Sequence, residues 1–162
     1  KGDQRPMEDV LGFLDEDVIR PELEATTKRG VLEELVGILR DAGKIDDDDY
    51  EPILDAILAR EEVGSTALGN GIAIPHAKEC PYVDSIVGAF GRSETGIDFD
   101  ALDGKPVNLF FLMVSPETED QAHLAILKQL AKAGKNPHLC RLLMRADGRD
   151  ALVEILEELE DA

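Results

Sequence analysis

Val107-Asn108-Leu109-Phe110-Phe111-Leu112-Met113-Val114 is the strongest strand signal in this chain of 162 residues, apolar at every position but Asn108. A continuous apolar run suits a strand buried on both faces, covered by helices, whereas a half-exposed strand alternates. Ser115-Pro116 ends the run, and Asp103-Gly104 marks a tight turn just before it. Further upstream, Val87, Ala89 and Phe90 read as a second strand within residues 85–92. Ser93, Glu94 and Thr95 read as a loop, and Gly96-Ile97-Asp98-Phe99 alternates as a short edge segment would.

Helical spacing surrounds these strands. Val31, Leu32, Leu35, Val36, Ile38 and Leu39 recur with the helical period up to about Asp41, with Thr26 or Thr27 as the cap and Leu23-Glu24-Ala25 extended before it. Ile53, Leu54, Ile57 and Leu58 give a second helix its buried face. Residues 121–133 form an amphipathic helix with Leu124, Leu127 and Leu130 on one side. Pro137-His138 starts another, with Leu139, Leu142 and Leu143 inward, and residues 150–159 make the last, carrying Leu152, Ile155, Leu156 and Leu159. Helices bracketing buried strands predict an α/β fold. The expectation is a single domain over residues 10–162, with a mixed central sheet flanked by helices on both faces. Residues 1–9 read as a polar tail, and Val10, Leu11, Phe13 and Leu14 as a first apolar patch that docks a short strand or turn.

Composition narrows the function. A hydrophobic fraction of 43% excludes disorder, and no run approaches the length of a membrane span. No signal peptide is visible, and two cysteines outside any C-x-x-C pattern fit a reduced, cytoplasmic protein. Thirty-five acidic residues against seventeen basic ones give a formal net charge of -18. That field repels a phosphate backbone, so nucleic acid is excluded as a partner. It favours a basic protein partner, or life in high salt, and the two are compatible.

The chemistry gathers in residues 60–76, R-E-E-V-G-S-T-A-L-G-N-G-I-A-I-P-H. Gly69-Asn70-Gly71 favours a turn with positive φ. Residues 72–74 suit a short strand, and Pro75, lacking an N–H, stops pairing through that position. His76 is thus placed at a strand end. His123 lies near the start of the helix that follows the strongest strand. Sites in open α/β sheets gather beyond the carboxyl ends of strands, so the two histidines can share a cleft. Neutral imidazole is a nucleophile near neutral pH, and a phosphoryl group added to it needs donors for its oxygens. Arg60, Ser65, Thr66 and Asn70, just upstream, are of the right types. Chemistry alone leaves open a loop histidine and a helix-capping histidine with no joint role, and does not choose the acceptor.

The segments Arg60-Glu61, Ser65-Thr66, Gly69-Asn70-Gly71 and Ile72-Ala73-Ile74-Pro75-His76 resemble the signature of the fructose/mannitol-type enzyme IIA domains of the bacterial phosphoenolpyruvate-dependent phosphotransferase system. Ala122-His123-Leu124-Ala125-Ile126-Leu127 resembles that family's second histidine helix, and the likeness spans roughly residues 10–160. The resemblance implies that His76 accepts a phosphoryl group from the phosphohistidine of HPr or an HPr-like protein. It implies that His123 hydrogen-bonds the group or orients His76, that Arg60 neutralises charge, and that Thr66 fixes the pocket with the adjacent turn, supported by Ser65, Gly69, Asn70 and Gly71. No cofactor and no metal is called for. Residues 64–66 and 69–74 are similar to the nitrogen-regulatory branch, which implies a regulatory output to target proteins. Two alternatives stand beside it: a transport component passing the group to a fructose- or mannitol-type IIB domain, and a binding module that kept the fold and lost the chemistry.

Three smaller features carry less. Asp46 to Asp49 lacks the alternating ligands, glycine and closing Glu of a calcium loop and reads as a helix N-terminus. A zinc site from Cys80, Cys140 and nearby histidines has no closely spaced cysteine motif behind it. His138 reads as a surface or capping residue.

Overall fold

The structure is a computed structural model that describes residues 12–159. The polar tail and the patch residues Val10 and Leu11 lie outside the described residues. A six-stranded mixed sheet forms the centre, with strand order β1-β5-β6-β3-β2 and β4 also paired to β6. The strands are β1 (Ile19–Arg20), β2 (Ala67–Gly69), β3 (Ile72–Ala73), β4 (His76–Ala77), β5 (Val87–Ile97) and β6 (Val107–Val114). Among the described residues five α-helices cover it: α1 (Lys28–Asp41), α2 (Tyr50–Val63), α3 (Asp120–Gly134), α4 (Pro137–Arg145) and α5 (Arg149–Leu159). α1 and α2 pack on each other over β5 and β4, while α3, α4 and α5 form a second group against β2, β6 and β1. The single α/β domain with helices on both faces of a mixed sheet is therefore as the sequence predicts.

β6 sits between β5 on one side and β3 and β4 on the other. Seven of its eight residues are buried, which is why it lacks alternation. Its pairing with β5 is antiparallel, from Val87↔Val114 to Ile97↔Val107, and its pairing with β3 and β4 is parallel. Phe111 meets Phe90 edge-on at 4.9 Å between ring centroids, and Phe110 meets Phe99 at 5.2 Å, locking the centre of the core. Thr27 caps α1 by accepting from the Gly30 N–H, and Val31, Leu32, Leu35, Val36, Ile38 and Leu39 are buried along it. Asp47–Asp49 forms a short 3-10 turn leading into α2, where acidic side chains suit the helix dipole.

Several expectations need correction. A short N-terminal strand at Ile19–Arg20 was not expected; Pro21, with no N–H for the ladder, follows it, and the Leu23 N–H of the next segment still reaches the Arg92 carbonyl at 2.8 Å. Ser93 to Thr95 are not a loop, and Gly96-Ile97 is no separate edge segment, because both belong to β5. The register shifts between Arg92 and Ile97, with the Gly96 N–H bonded to Ser93 Oγ at 3.1 Å and Asn108 Nδ2 donating to the Ser93 carbonyl at 2.8 Å. A bulge with its extra residues tied down looks like a loop in sequence. On α3 the buried stripe is His123, Ile126, Leu130, Ala133 and Gly134, and Leu124 is 53% exposed. On α4 Cys140 and Leu143 are buried, while Leu142 faces outward. Finally, Pro75 interrupts β-pairing without ending it. Its carbonyl accepts from Met113 N–H at 3.1 Å, and β4 resumes on β6 at His76.

Candidate active site

His76 pairs with Met113 in parallel register, so it stands beside the carboxyl end of β6. The chain then passes Ser115 and a 3-10 turn at Glu117–Glu119 into α3, whose first turn carries His123. Two different segments thus deliver the histidines to one place. Their ring centroids are 5.4 Å apart, with the planes inclined at 62°. They line one cleft of about 670 Å³ together with Ala56, Arg60, Lys78, Asp120, Gln121, Leu124 and Leu127.

Each ring is held by its Nδ1 atom. His76 Nδ1 lies 2.8 Å from the Ile74 carbonyl oxygen, which only accepts, so Nδ1 carries the hydrogen and Nε2 keeps its lone pair. His123 Nδ1 lies 2.7 Å from the hydroxyl of Ser115. Burial lowers the pKa of His76, against the opposing pull of the Ile74 hydrogen bond, and the Arg60 charge lowers it further. His123 is 3% exposed, and burial, then the neighbouring His76, push its pKa down to about 4. Asp120 pulls the other way without prevailing. Both rings are therefore neutral near neutral pH, the state in which imidazole is nucleophilic. Arg60, at the end of α2, donates from Nη1 to the Gly64 carbonyl at 2.8 Å and brings positive charge to the cleft. At the rim, the exposed Glu79 carboxyl has its pKa raised by the hydrogen bond it shares with Asp120. A neutral nucleophilic nitrogen, a second imidazole and a guanidinium around one open cleft are the parts needed to take up a small anionic group.

Residues 12–159 match the family described as phosphoenolpyruvate-dependent sugar phosphotransferase system, EIIA 2. The chain belongs to that family. This EIIA chain is 38% identical over 143 residues to the fructose-specific EIIA component of Haloferax volcanii, covering 88% of this chain and 91% of that one. It is 35% identical over 149 residues to the fructose-specific EIIABC component of Bacillus subtilis, covering 92% of this chain but only 23% of that much longer protein. The nitrogen regulatory protein IIA-Ntr of Neisseria meningitidis has the same fold, with a TM-score of 0.81, 32% identity and coverage of 90% of this chain and 97% of that one. The chain thus has the architecture of an EIIA-type phosphoryl carrier, and relatives of both the sugar-specific and the nitrogen-regulatory kind resemble it.

Within this EIIA fold the sequence-picked residues divide. His76, His123 and Arg60 come together at the cleft. Thr66 stands behind it, buried, with its hydroxyl given to the Glu61 carboxylate, which also takes the Thr66 N–H at 3.3 Å and the Lys28 ammonium at 3.1 Å. Ser65 donates to the Phe99 carbonyl at 2.6 Å, and Asn70 Nδ2 donates to the Gly134 carbonyl at 2.7 Å. Gly69, Asn70 and Gly71 all have positive φ and form the β2–β3 turn. Its Gly71 carbonyl accepts from the N–H groups of Asn108 and Leu109, whereas His76 pairs with Met113. Four or five strand residues separate those positions, about 15 Å along β6. The turn expected to cradle the pocket therefore sits at the other end of the strand and joins the sheet to α3.

Three polar residues of the cleft, and Ser115 buried behind it, escaped the sequence reading. Lys78 follows His76 by two, the strand spacing that puts both on one face, and this signal was available. Asp120 precedes His123 by three on α3, the helical equivalent. Gln121 gave no signal, and Ser115 read only as the end of β6. Among the described residues no group of three or more His, Cys, Asp or Glu is arranged to hold a metal ion, and no helix is long and apolar enough to cross a membrane. Cys80 and Cys140 are buried and free.

Proposed function

We propose that this EIIA domain carries a phosphoryl group on Nε2 of His76, received from the phosphohistidine of HPr or an HPr-like protein. The observation behind the reading is the Nδ1 contact of His76 with the Ile74 carbonyl, which leaves Nε2 as the nucleophilic nitrogen. In the transfer, the Nε2–P bond forms as the N–P bond of the donor histidine breaks, and the donor imidazole departs with the electron pair. A loose transition state leaves the protein mainly to position groups and stabilise charge on the phosphoryl oxygens. Arg60 supplies the charge, and His123 hydrogen-bonds the group. Thr66 acts at one remove, anchoring Glu61 and so the end of α2 from which Arg60 reaches the cleft. Ser65 and the Gly69-Asn70-Gly71 turn support the pocket only through the sheet. With a net charge of -18, the domain attracts a basic face of its donor, and the encounter slows as salt screens the field.

The output we propose is regulatory, of the nitrogen type. The TM-score of 0.81 with the Neisseria IIA-Ntr at 32% identity supports it. The phosphorylated histidine gains roughly two negative charges at a cleft rim that already holds Asp120 and Glu79, and this changes which partners bind. A transport role, handing the group to a fructose-type IIB domain, is the second reading, supported by the 38% identity with the Haloferax fructose-specific EIIA over nearly its whole length.

The experiment is phosphotransfer from purified HPr that its upstream kinase has already phosphorylated, with the transfer step itself run in EDTA. The parent is expected to become labelled, His76→Ala to lose labelling, and His123→Ala to keep some labelling with slower onward transfer. Adding a fructose-type IIB domain separates the outputs: rapid discharge to it favours transport, and stable label favours regulation. Full labelling of His76→Ala overturns the acceptor assignment, and an unlabelled parent favours a protein-binding module without chemistry.

A further inference from the structure

Two buried atoms beside the cleft lack any hydrogen-bond partner among the described residues, His123 Nε2 and Asp120 Oδ1. The first has a counterpart on the other side of the same ring. Ser115, fully buried at the end of β6, places its hydroxyl 2.7 Å from His123 Nδ1. The Ser115 backbone is already committed: its N–H donates to the Ala77 carbonyl at 3.0 Å, and its carbonyl accepts from the Cys80 N–H at 2.9 Å. The side chain is thus fixed by the sheet, and the imidazole is the partner its hydroxyl has.

Two proton arrangements are possible for a neutral His123. If Nδ1 carried the hydrogen and donated to Ser115, the serine hydroxyl hydrogen would be buried without an acceptor, and the Nε2 lone pair would be buried without a donor. If Ser115 donates to Nδ1, both groups of that contact are satisfied, and one donor remains, the Nε2–H. The second arrangement strands one group where the first strands two, and unsatisfied buried groups are costly. The donor it leaves is also useful, because His123 lines the cleft against the ring of His76.

We propose that Ser115 is a positioning residue, whose hydroxyl donates to Nδ1 of His123 and fixes the Nε2–H tautomer, so that this N–H meets an oxygen of the phosphoryl group on His76. The inference rests on His76 being the acceptor. A lone pair at that position would instead repel the phosphoryl oxygens. Neither oxygen of Asp120 occupies the donor, since His123 Nε2 is itself without a partner.

The tautomer is read directly on the full chain, labelled with nitrogen-15 and unphosphorylated, from long-range proton–nitrogen spectra at neutral pH. His123 is expected to show a protonated Nε2 and a bare Nδ1. A protonated Nδ1 in the parent overturns the proposal, whether or not any variant folds. Ser115→Ala is expected to loosen the ring, mix the tautomers and slow phosphoryl uptake about ten-fold, the scale of a hydrogen bond to a charged group. Ser115→Thr keeps the hydroxyl and restores both the spectrum and the rate, which a loss of packing alone would not explain. A folded Ser115→Ala with parental rate and parental tautomer overturns the role of Ser115. Failure of the acceptor assignment shows separately, as labelling that survives His76→Ala, and leaves the spectra unaffected.

Discussion

Acidification should weaken this fold through His123, and the size of the effect follows from its burial. The ring titrates at about 4 in the folded protein against an ordinary value of 6.5. Between those two values the unfolded chain holds a proton that the folded chain refuses. Stability therefore falls as pH drops through that window, by about 1.4 kcal/mol per pH unit, and totals about 3 kcal/mol. Above pH 6.5 the group is neutral in both states and contributes no slope. Below about 4 the folded protein takes up the proton as well, and the loss levels off. His76, also lowered by burial, adds in the same direction. The 35 acidic side chains create a background, since protonating them relieves the repulsion of a -18 chain. Comparison with His123→Gln removes that background, because the variant has the same carboxylates and no imidazole at this site. Urea unfolding of both proteins at pH 7, 6, 5 and 4 gives the difference in unfolding free energy. The parent should lose about 3 kcal/mol relative to the variant across the series. A difference that stays constant, or that moves in the parent's favour as pH falls, would refute the buried neutral histidine.

Two substitutions test the scaffold. Gly88→Ala places a Cβ 2.3 Å from the Leu112 carbonyl oxygen and 2.3 Å from the Phe13 ring. The ring can turn but the carbonyl belongs to the β5–β6 ladder, so the thermal midpoint should drop by the equivalent of about 1–3 kcal/mol; an unchanged midpoint contradicts the Gly88↔Met113 register. Glu61→Ala strands the Thr66 hydroxyl and N–H and removes one carboxylate from Lys28. Breaking a buried pair costs about 3–5 kcal/mol, and the lower end is expected because Lys28 keeps Asp100 at 3.3 Å. A urea midpoint equal to the parent's would show that the cluster does not hold the end of α2.

How far the sequence could be read depended on whether a signal was local. β6 and α1 declare themselves by composition and period, and their observed bounds match the expected ones closely. The meeting of His76 with His123 was legible for a topological reason: the apolar run that leads to His76 lies parallel to β6, and His123 follows the carboxyl end of β6 that His76 reaches. The glycine turn was misplaced because nearness in sequence was taken for nearness in space. Five residues from Gly71 to His76 run alongside β6 through β3, Pro75 and β4, and that extended path carries the histidine about 15 Å away from the turn. Ser115 was illegible, since nothing local distinguishes a serine that ends a strand in solvent from one that ends it beneath a helix.

The misreading of α3 has a different origin, and it says something about the site. In sequence, Leu124, Leu127 and Leu130 fit one apolar side of the helix, and nothing in that spacing gives His123 a place on the same buried face. The observed stripe passes through His123, Ile126, Leu130 and Ala133, and the displaced Leu124 is left 53% exposed beside Leu127 at the cleft. Turning the helix by one residue thus makes two changes together. It buries an imidazole against His76, which holds it neutral, and it moves apolar side chains from the core to the rim of the same opening. A carrier must present its reactive nitrogen to another protein, and such a rim offers an apolar contact beside the carboxylates of Asp120 and Glu79. A histidine at a core position of an amphipathic helix, with a leucine one step out of register, is accordingly the pattern by which this site could have been found without coordinates.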